Sequence, residues 1–209
     1  MRLQMAKICQ MELVQLLINS MSPKALNAVN REGNPALHHA AANGYLEVVR
    51  TFLINIPNKT YYKTINALNK QKYNILHYAA ENGNTAIVRL LLDNRHVSPN
   101  TLNAYTENNE TSLTLAAAKG YTGIVKLLLD HNLINSSTID ARNKNCDTAL
   151  TLALKGRFPD TASVLINNIK FKNFNAINRD NEESVIILTA KLGYEDLARI
   201  LVTKISPLT

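Results

Sequence analysis

The sequence contains no apolar run that approaches the roughly 18 residues of a membrane-spanning helix. Its first ten residues also lack the apolar stretch of a secretory signal. We therefore expect no membrane span and a cytoplasmic location.

Cysteine is scarce, with Cys9 and Cys146 the two in the chain. They lie far apart, and neither belongs to a C-x-x-C pair, so we expect no disulfide and a reducing compartment.

Glycine is also scarce, with seven residues. The chain has no glycine-rich loop of the kind that holds phosphate, no H-E-x-x-H zinc motif and no serine at a G-x-S-x-G turn. Cys146 has no histidine nearby in sequence to act as its base. We therefore expect no catalytic residues, no metal and no cofactor, and hence no enzyme activity.

What the chain does contain is an internal repeat of about 37 residues, a period typical of solenoid proteins. A turn, a short helix, a glycine and a second apolar helix follow one another in residues 27–55, and the same order returns four times. A leucine or isoleucine marks each copy, at Leu37, Leu76, Leu113, Leu150 and Ile186. A unit of this kind cannot bury its apolar face alone, so we expect consecutive units to stack.

The repeat resembles the ankyrin family, whose pattern is D-x-x-G-x-T-P-L-H-x-A-A-x-x-G-H-x-E-V-V-K-L-L-L. The closest copies are NREGNPALHHAAANGYLEVVRTFL and NKQKYNILHYAAENGNTAIVRLLL, and TENNETSLTLAAAKGYTGIVKLLL lacks only the histidine. The last two copies are degenerate, and residues 12–18 resemble an isolated second helix.

The resemblance implies an all-α ankyrin-repeat solenoid of five helix-turn-helix repeats with β-hairpin-like finger turns, forming one domain over 1–209. We expect a capping half-repeat at 1–26 and repeats at 27–65, 66–102, 103–139, 140–174 and 175–209.

Local signals predict where the helices begin and end. An amphipathic helix is expected over residues 4–18, and Asn34 before Pro35 predicts an N-cap with proline at the first helical position. Residues of N-capping type precede the later short helices, at Asn74, Thr111, Thr148 and Ser184. A left-handed glycine is expected to end each short helix, at Gly44, Gly83, Gly120 and Gly193, whereas in the fourth repeat Arg157 stands in this place and Gly156 precedes it.

The repeats are longer than the family's usual 33 or so residues. We expect the surplus to lengthen the second helix over 93–97 and 130–134. Residues 55–64 are expected to form a loop instead, because Pro57 interrupts a helix.

The histidines of the family's L-H pair, His38 and His77, are expected to be structural, because the resemblance implies that they bond turn backbone and tie neighbouring repeats. A basic column runs along the second helices at Arg50, Arg89, Lys126 and Arg199, and it is interrupted in the fourth repeat by Ser163. The family pattern already places Lys or Arg there as a solvated face.

The partner-binding residues are predicted at the finger turns and along the inner helices, where the family varies. The positions are Arg31, Glu32, Asn34, His39, Asn43, Lys70, Gln71, Tyr73, Tyr78, Glu81, Asn82, Glu107, Asn108, Glu110, Lys119, Lys144, Asn145, Asp147 and Lys155. Their charges are of both signs, whereas a groove for nucleic acid should be positive throughout. This mixture, with Tyr73 and Tyr78 near its centre, favours a protein partner.

We therefore expect a monomeric, non-catalytic module that binds a folded protein of unknown identity. Its asparagine-rich composition suggests an effector of an intracellular bacterium, acting in the host cytosol or nucleus. Two alternatives stay open. The basic column could bind an anionic ligand, either nucleic acid or a membrane surface, or the chain could be the targeting domain of a larger enzyme.

Overall fold

The computed structural model describes residues 16–18, 20–55, 63–93, 97–168 and 185–205. These residues form helices and turns without a β-strand, as the sequence predicted. The chain divides into two compact units, 1–101 and 102–209, which are described separately.

In the first unit, a short helix α1 (Pro23–Leu26) precedes two helical hairpins. The first hairpin pairs α2 (Ala36–Ala42) with α3 (Leu46–Asn55), and the second pairs α4 (Ile75–Glu81) with α5 (Thr85–Leu92). The inner helices α2 and α4 pack together, as do the outer helices α3 and α5. Consecutive copies of the repeat therefore stack side by side in this unit.

The second unit begins at the end of α6 (Pro99–Leu102) and contains three hairpins with a further short helix, α9 (Ser136–Ile139). The inner helices are α7 (Ser112–Ala118), α10 (Ala149–Lys155) and α12 (Val185–Lys191). Their outer partners are α8 (Thr122–Asp130), α11 (Pro159–Asn168) and α13 (Glu195–Ile205). Helix α10 packs against both α7 and α12, so the middle inner helix is covered on two sides.

Three of the predicted N-caps are confirmed as capping boxes. Asn74, Thr111 and Thr148 each accept a hydrogen bond from a backbone N–H three residues later. The side chain of that third residue, His77, Thr114 or Thr151, in turn accepts the N–H of the capping residue. Ser184 and most of the predicted helix over 4–18 lie outside the described residues, although 16–18 are helical.

The predicted N-cap at Asn34 is wrong. Helix α2 begins one residue later, with Pro35 in the N-cap position and no side-chain cap. The side chain of Asn34 makes other hydrogen bonds, which are described with the site below.

The predicted glycine turns are confirmed. Gly44, Gly83, Gly120 and Gly193 all have φ between +72° and +74°. In the fourth repeat the left-handed residue is Arg157, with φ +61°, while Gly156 is in the right-handed helical region. The turn geometry is therefore kept even where the glycine is displaced by one position.

The prediction that the surplus residues lengthen the outer helices is wrong. Helices α5 and α8 end at Leu92 and Asp130, and the chain then forms the separate short helices α6 and α9. Residues 63–65 form the equivalent helical turn, so the loop predicted over 55–64 ends before residue 63. Residues 56–62 lie outside the described part. Each short helix or turn buries an apolar side chain or a threonine, at Leu26, Ile65, Leu102 and Thr138.

A repeated hydrogen bond ties these short helices to the preceding repeat. A threonine hydroxyl donates to an asparagine Oδ1 about one repeat earlier, in the pairs Thr64 with Asn27, Thr101 with Asn66 and Thr138 with Asn103. Asn103 Nδ2 also donates to the Leu133 carbonyl at 2.9 Å. The longer repeat therefore adds a third helical element that joins neighbouring repeats.

Candidate functional site

The structure describes four finger turns, 30–34, 69–73, 106–110 and 143–147, and each is held by one polar side chain at its start. Asn30 Oδ1 accepts the backbone N–H groups of Glu32 and Asn34, at 3.0 and 2.9 Å. Equivalent bonds are made by Asn69, Thr106 and Asn143. Because these turns are closed by the first side chain and by backbone bonds, the side chains at the tip are not needed for the fold.

Consecutive fingers within each unit are joined through their backbones. In the first unit Lys70 N donates to the Glu32 carbonyl at 3.0 Å, and in the second Lys144 N donates to the Asn108 carbonyl at 2.9 Å. The tips of neighbouring fingers are therefore fixed relative to each other, and a partner would meet them as one surface.

Many of the predicted binding residues present their side chains to solvent. The exposed ones in the first unit are Arg31, Glu32, His39, Asn43, Lys70, Gln71 and Asn82, and those in the second are Glu107, Asn108, Lys119, Lys144, Asn145 and Lys155. Tyr73, Tyr78, Glu81 and Glu110 are half-buried.

Asn34 does not belong with the exposed set, because it is only 4% exposed. Its Oδ1 accepts hydrogen bonds from Asn69 Nδ2 at 2.9 Å and from the Tyr78 hydroxyl at 3.1 Å. His38 Nδ1 lies 3.3 Å from the same oxygen. Asn34 therefore joins two consecutive repeats, and we remove it from the predicted binding residues.

Asp147 is also removed, because its side chain is buried beneath the fourth finger. Its Oδ1 lies 2.6 Å from Lys155 Nζ, and the lysine side chain remains partly exposed. This ion pair attaches the finger to the end of helix α10, so the acid has a structural partner within the chain.

The two tyrosines at the predicted centre are part of an aromatic cluster. The Tyr78 ring lies 5.4 Å from His38 and 5.2 Å from Tyr73, centroid to centroid, and Tyr73 lies 5.5 Å from His77. Burial raises the pKa of the Tyr78 phenol, although its hydrogen bonds to Asn34 and Asn69 act in the opposite direction. The two tyrosines therefore pack against His38 and His77 of the inner helices and keep part of their side chains in solvent.

The structural role predicted for His38 and His77 agrees with their positions. His77 is fully buried, and its Nδ1 accepts the Asn74 N–H at 3.1 Å. Burial lowers the pKa of His38 to about 4, against a smaller opposing contribution from the Ala67 backbone. His39 faces solvent instead, and its Nε2 lies 3.2 Å from Asn30 Nδ2.

Sequence reasoning missed a set of exposed apolar side chains at the base of the fingers. Val29 and Leu68, both more than half exposed, stand just before the turn residues Asn30 and Asn69. Tyr105 has the equivalent place before Thr106, and its hydroxyl donates to the Ser137 carbonyl at 3.0 Å. The sequence does contain a signal for these side chains, because in three repeats an apolar residue directly precedes the first polar residue of the finger.

The outer basic residues and Cys146 are the remaining candidates that the sequence singled out. Arg50, Arg89, Lys126 and Arg199 are all exposed, and Arg50 pairs with Glu47 at 3.5 Å on its own helix. Cys146 is a half-buried free thiol at a left-handed turn position with φ +61°. Within the described ranges no cluster of His, Cys, Asp or Glu could hold a metal ion. No helix among the described residues is long and apolar enough to cross a membrane.

Comparison with protein families supports the resemblance seen in the sequence. Residues 56–138 and 96–178 match a model of ankyrin repeats in three copies, and residues 6–53 match a model of ankyrin repeats in many copies. None of the curated proteins compared with the chain gives a significant match.

Proposed function

Because the chain belongs to the ankyrin-repeat family, we propose that it binds a folded protein through its finger turns and inner helices, without catalysis. Ankyrin repeats are generally non-catalytic protein–protein interaction modules.

We call the proposed surface of the first unit the finger face. It comprises the side chains of Arg31, His39, Lys70 and Gln71 together with the half-buried Tyr73 and Tyr78. The second unit has an equivalent row at Glu107, Asn108, Lys144 and Asn145.

The observation that carries the proposal is that internal hydrogen bonds fix the backbone of the finger while its tip side chains stay exposed. The backbone of the second finger is satisfied by Asn69 and by the Lys70 N–H bond to the neighbouring finger. The side chains of Lys70 and Gln71 are exposed on this fixed backbone. Because the backbone is already ordered, binding a partner would cost only the conformational freedom of these side chains and not that of the turn itself.

The character of the partner follows from the charges and rings of the finger face. Positive Arg31 precedes negative Glu32 in the first finger, and the backbone N–H of positive Lys70 donates to the Glu32 carbonyl. The Tyr73 and Tyr78 rings pack against each other in the same unit. Interfaces between proteins favour aromatic and arginine side chains surrounded by a polar rim. We therefore propose a folded protein of mixed surface charge as the partner, and not nucleic acid.

The setting of this activity is a further part of the proposal. A reducing compartment would keep Cys146 as the free thiol that it is here. The asparagine-rich composition supports the hypothesis of a bacterial effector that acts on a host protein.

A charge-reversal pair tests the finger face. We expect Arg31→Glu with Lys70→Glu to weaken binding of a partner captured from cell lysate at least tenfold, because both side chains would meet that partner. The matched control is Arg50→Glu with Arg89→Glu, which changes the net charge equally on the outer helices of the same unit and should change the affinity less than twofold. Affinities are measured by calorimetry with the purified partner.

The same two variants distinguish the anionic-ligand alternative. If the basic column is the binding site, the outer pair Arg50→Glu and Arg89→Glu should abolish retention on a heparin column and reduce partner binding. Unchanged affinity in the finger-face variant would contradict the proposed function.

A further inference from the structure

Lys72, near the tip of the second finger, adopts a backbone conformation that its side chain disfavours. Its φ is +61°, in the left-handed region, where an L residue is strained because Cβ approaches the following carbonyl oxygen. The same place is occupied by Gly33 in the first finger, with φ +85°, and by Asn109 in the third, with φ +58°. Glycine and asparagine are the residues that adopt this conformation most readily. The second finger therefore carries a lysine where glycine or asparagine would fold more easily.

Contacts of the Lys72 side chain do not offset this strain. The side chain is exposed, and within the part of the chain that the structure describes it has no carboxylate partner. The Lys72 backbone N–H donates to the Asn69 carbonyl at 3.0 Å, a bond that any residue except proline could make there. Cys146, at the same place in the fourth finger, is half-buried instead. Strained backbone that is not required by packing is a reason to look for a function at that residue.

The first two fingers, to which Lys72 belongs, are positively charged. Arg31 and Lys70 are exposed on them as well, and the Lys70 N–H bond to the Glu32 carbonyl joins the two backbones. Glu32 is the one acid in these two fingers, and its carboxylate accepts a hydrogen bond from Asn34 Nδ2 at 3.1 Å. Three cations therefore reach the solvent beside one acid that is already hydrogen-bonded within the chain.

Apolar side chains lie at the base of the same two fingers. Val29 and Leu68 are 57% and 52% exposed, and they stand two residues before Arg31 and Lys70. We call the surface formed by Val29, Leu68, Arg31, Lys70 and Lys72 the basic edge. Its complement carries negative charge opposite the cations and apolar atoms opposite Val29 and Leu68. A protein segment with acidic side chains beside aliphatic ones has both, whereas the phosphates of a nucleic acid match only the charge.

We propose that the basic edge binds an acidic segment of the partner protein, whose carboxylates pair with Arg31, Lys70 and Lys72 and whose aliphatic side chains cover Val29 and Leu68. This inference rests on the proposed function and names the chemistry of the segment that meets the first unit. It also adds Lys72, which is not among the binding residues predicted from the sequence. Lys72 strengthens binding while it weakens the fold, so its removal has opposite effects on the two.

Peptides selected from a random library on phage against the full chain provide the probe. We expect the selected peptides to combine aspartate or glutamate with aliphatic residues. Lys72→Gly should weaken binding of the tightest peptide by about threefold or more, as expected for a solvent-exposed ion pair. It should also raise the thermal unfolding midpoint by about 2 °C, because glycine adopts the left-handed turn without the steric strain. Lys72→Asn should weaken binding equally without lowering the midpoint. Fluorescence anisotropy measures the affinity, and circular dichroism measures unfolding.

The matched control is Arg89→Gln, which removes an equal charge from the outer helix α5 and should change the peptide affinity by less than about 1.5-fold. The inference is overturned if the selected peptides lack acidic residues, or if both Lys72 variants bind the peptide as tightly as the unaltered chain. Selection of no acidic peptide, with Lys72-dependent binding of random single-stranded DNA, would overturn it in favour of phosphate. A lower unfolding midpoint in Lys72→Gly would also overturn it. If the captured partner is lost in Arg31→Glu with Lys70→Glu but not in the Lys72 variants, this inference fails while the proposed function stands.

Discussion

Replacing Gly120 with alanine is expected to lower the free energy of unfolding by about 3 kcal/mol, and two separate costs add to give this value. Gly120 has φ +72°, a backbone conformation that L residues adopt at a cost of about 1–2 kcal/mol. A Cβ built on Gly120 would also lie 2.4 Å from the Phe158 ring of the next repeat. That ring must move for alanine to fit.

Gly123 provides the control for this substitution, three residues along the same chain segment. It lies in helix α8, and a Cβ added there would meet no atom within 4 Å. Gly123→Ala should therefore stabilise the protein by about 0.5 kcal/mol, because alanine is the better helix former. Urea unfolding of both variants measures the two changes. Similar effects of the two substitutions would contradict the role given to Gly120.

Lowering the pH from 7 to 4 should reduce the free energy of unfolding by about 3 kcal/mol through His38 alone. The pKa of His38 is about 4 in the fold, compared with its ordinary value of 6.5. Burial is the main cause of this shift, and the positive charges that His39 and His77 can carry add to it. Since the folded pKa is the lower one, the unfolded chain binds the proton more tightly. Stability from this group is therefore complete above pH 6.5 and is lost as the pH falls towards 4.

Unfolding by urea at several pH values, in the unaltered chain and in His38→Gln, measures this contribution. The glutamine cannot titrate, so the variant should lose less stability on acidification than the unaltered chain, by about 3 kcal/mol at pH 4. The exposed neighbour supplies the control, because His39→Gln leaves His38 buried and should keep most of the pH dependence, since burial is the largest cause of the His38 shift. If His38→Gln showed the same pH dependence as the unaltered chain, His38 would not be the buried neutral histidine described here.

Features that depend on a few neighbouring residues could be predicted from the sequence. The capping boxes at Asn74, Thr111 and Thr148 need only a residue of the right type and a partner three positions later. Arg157 could be recognised as a left-handed residue because the repeat placed it where glycine stands in the other copies. In both cases all the interacting groups lie within one short segment.

Features that depend on contacts between repeats could not be predicted in this way. Asn34 was assigned to the binding surface by its place in the repeat, but its oxygen is engaged by Asn69 and Tyr78 of the next copy. The sequence does not show which side chains from the neighbouring repeat reach this position. Asp147 was misassigned for a different reason, because its partner Lys155 lies in the same repeat but at the far end of helix α10, eight residues away.

The short helices α6 and α9 were missed for a different reason. Ser98-Pro99 was not recognised as the start of a helix, although serine is a good N-cap and proline is favoured at the first helical position. Ser98 Oγ does accept the Thr101 N–H, at 3.1 Å. A helix of four residues is too short to give a periodic apolar pattern. The threonine–asparagine bond to the preceding repeat also lies too far along the chain to be read from the local sequence.

Hydrogen–deuterium exchange with and without the captured partner tests most directly whether the fingers and inner helices form the binding surface. Backbone amides of the second finger, 69–73, and of helix α4 should exchange more slowly when the partner is bound. Those of the outer helices α3 and α5 should be unchanged. Protection confined to α3 and α5, with unaltered exchange in the fingers of both units, would contradict the proposed function.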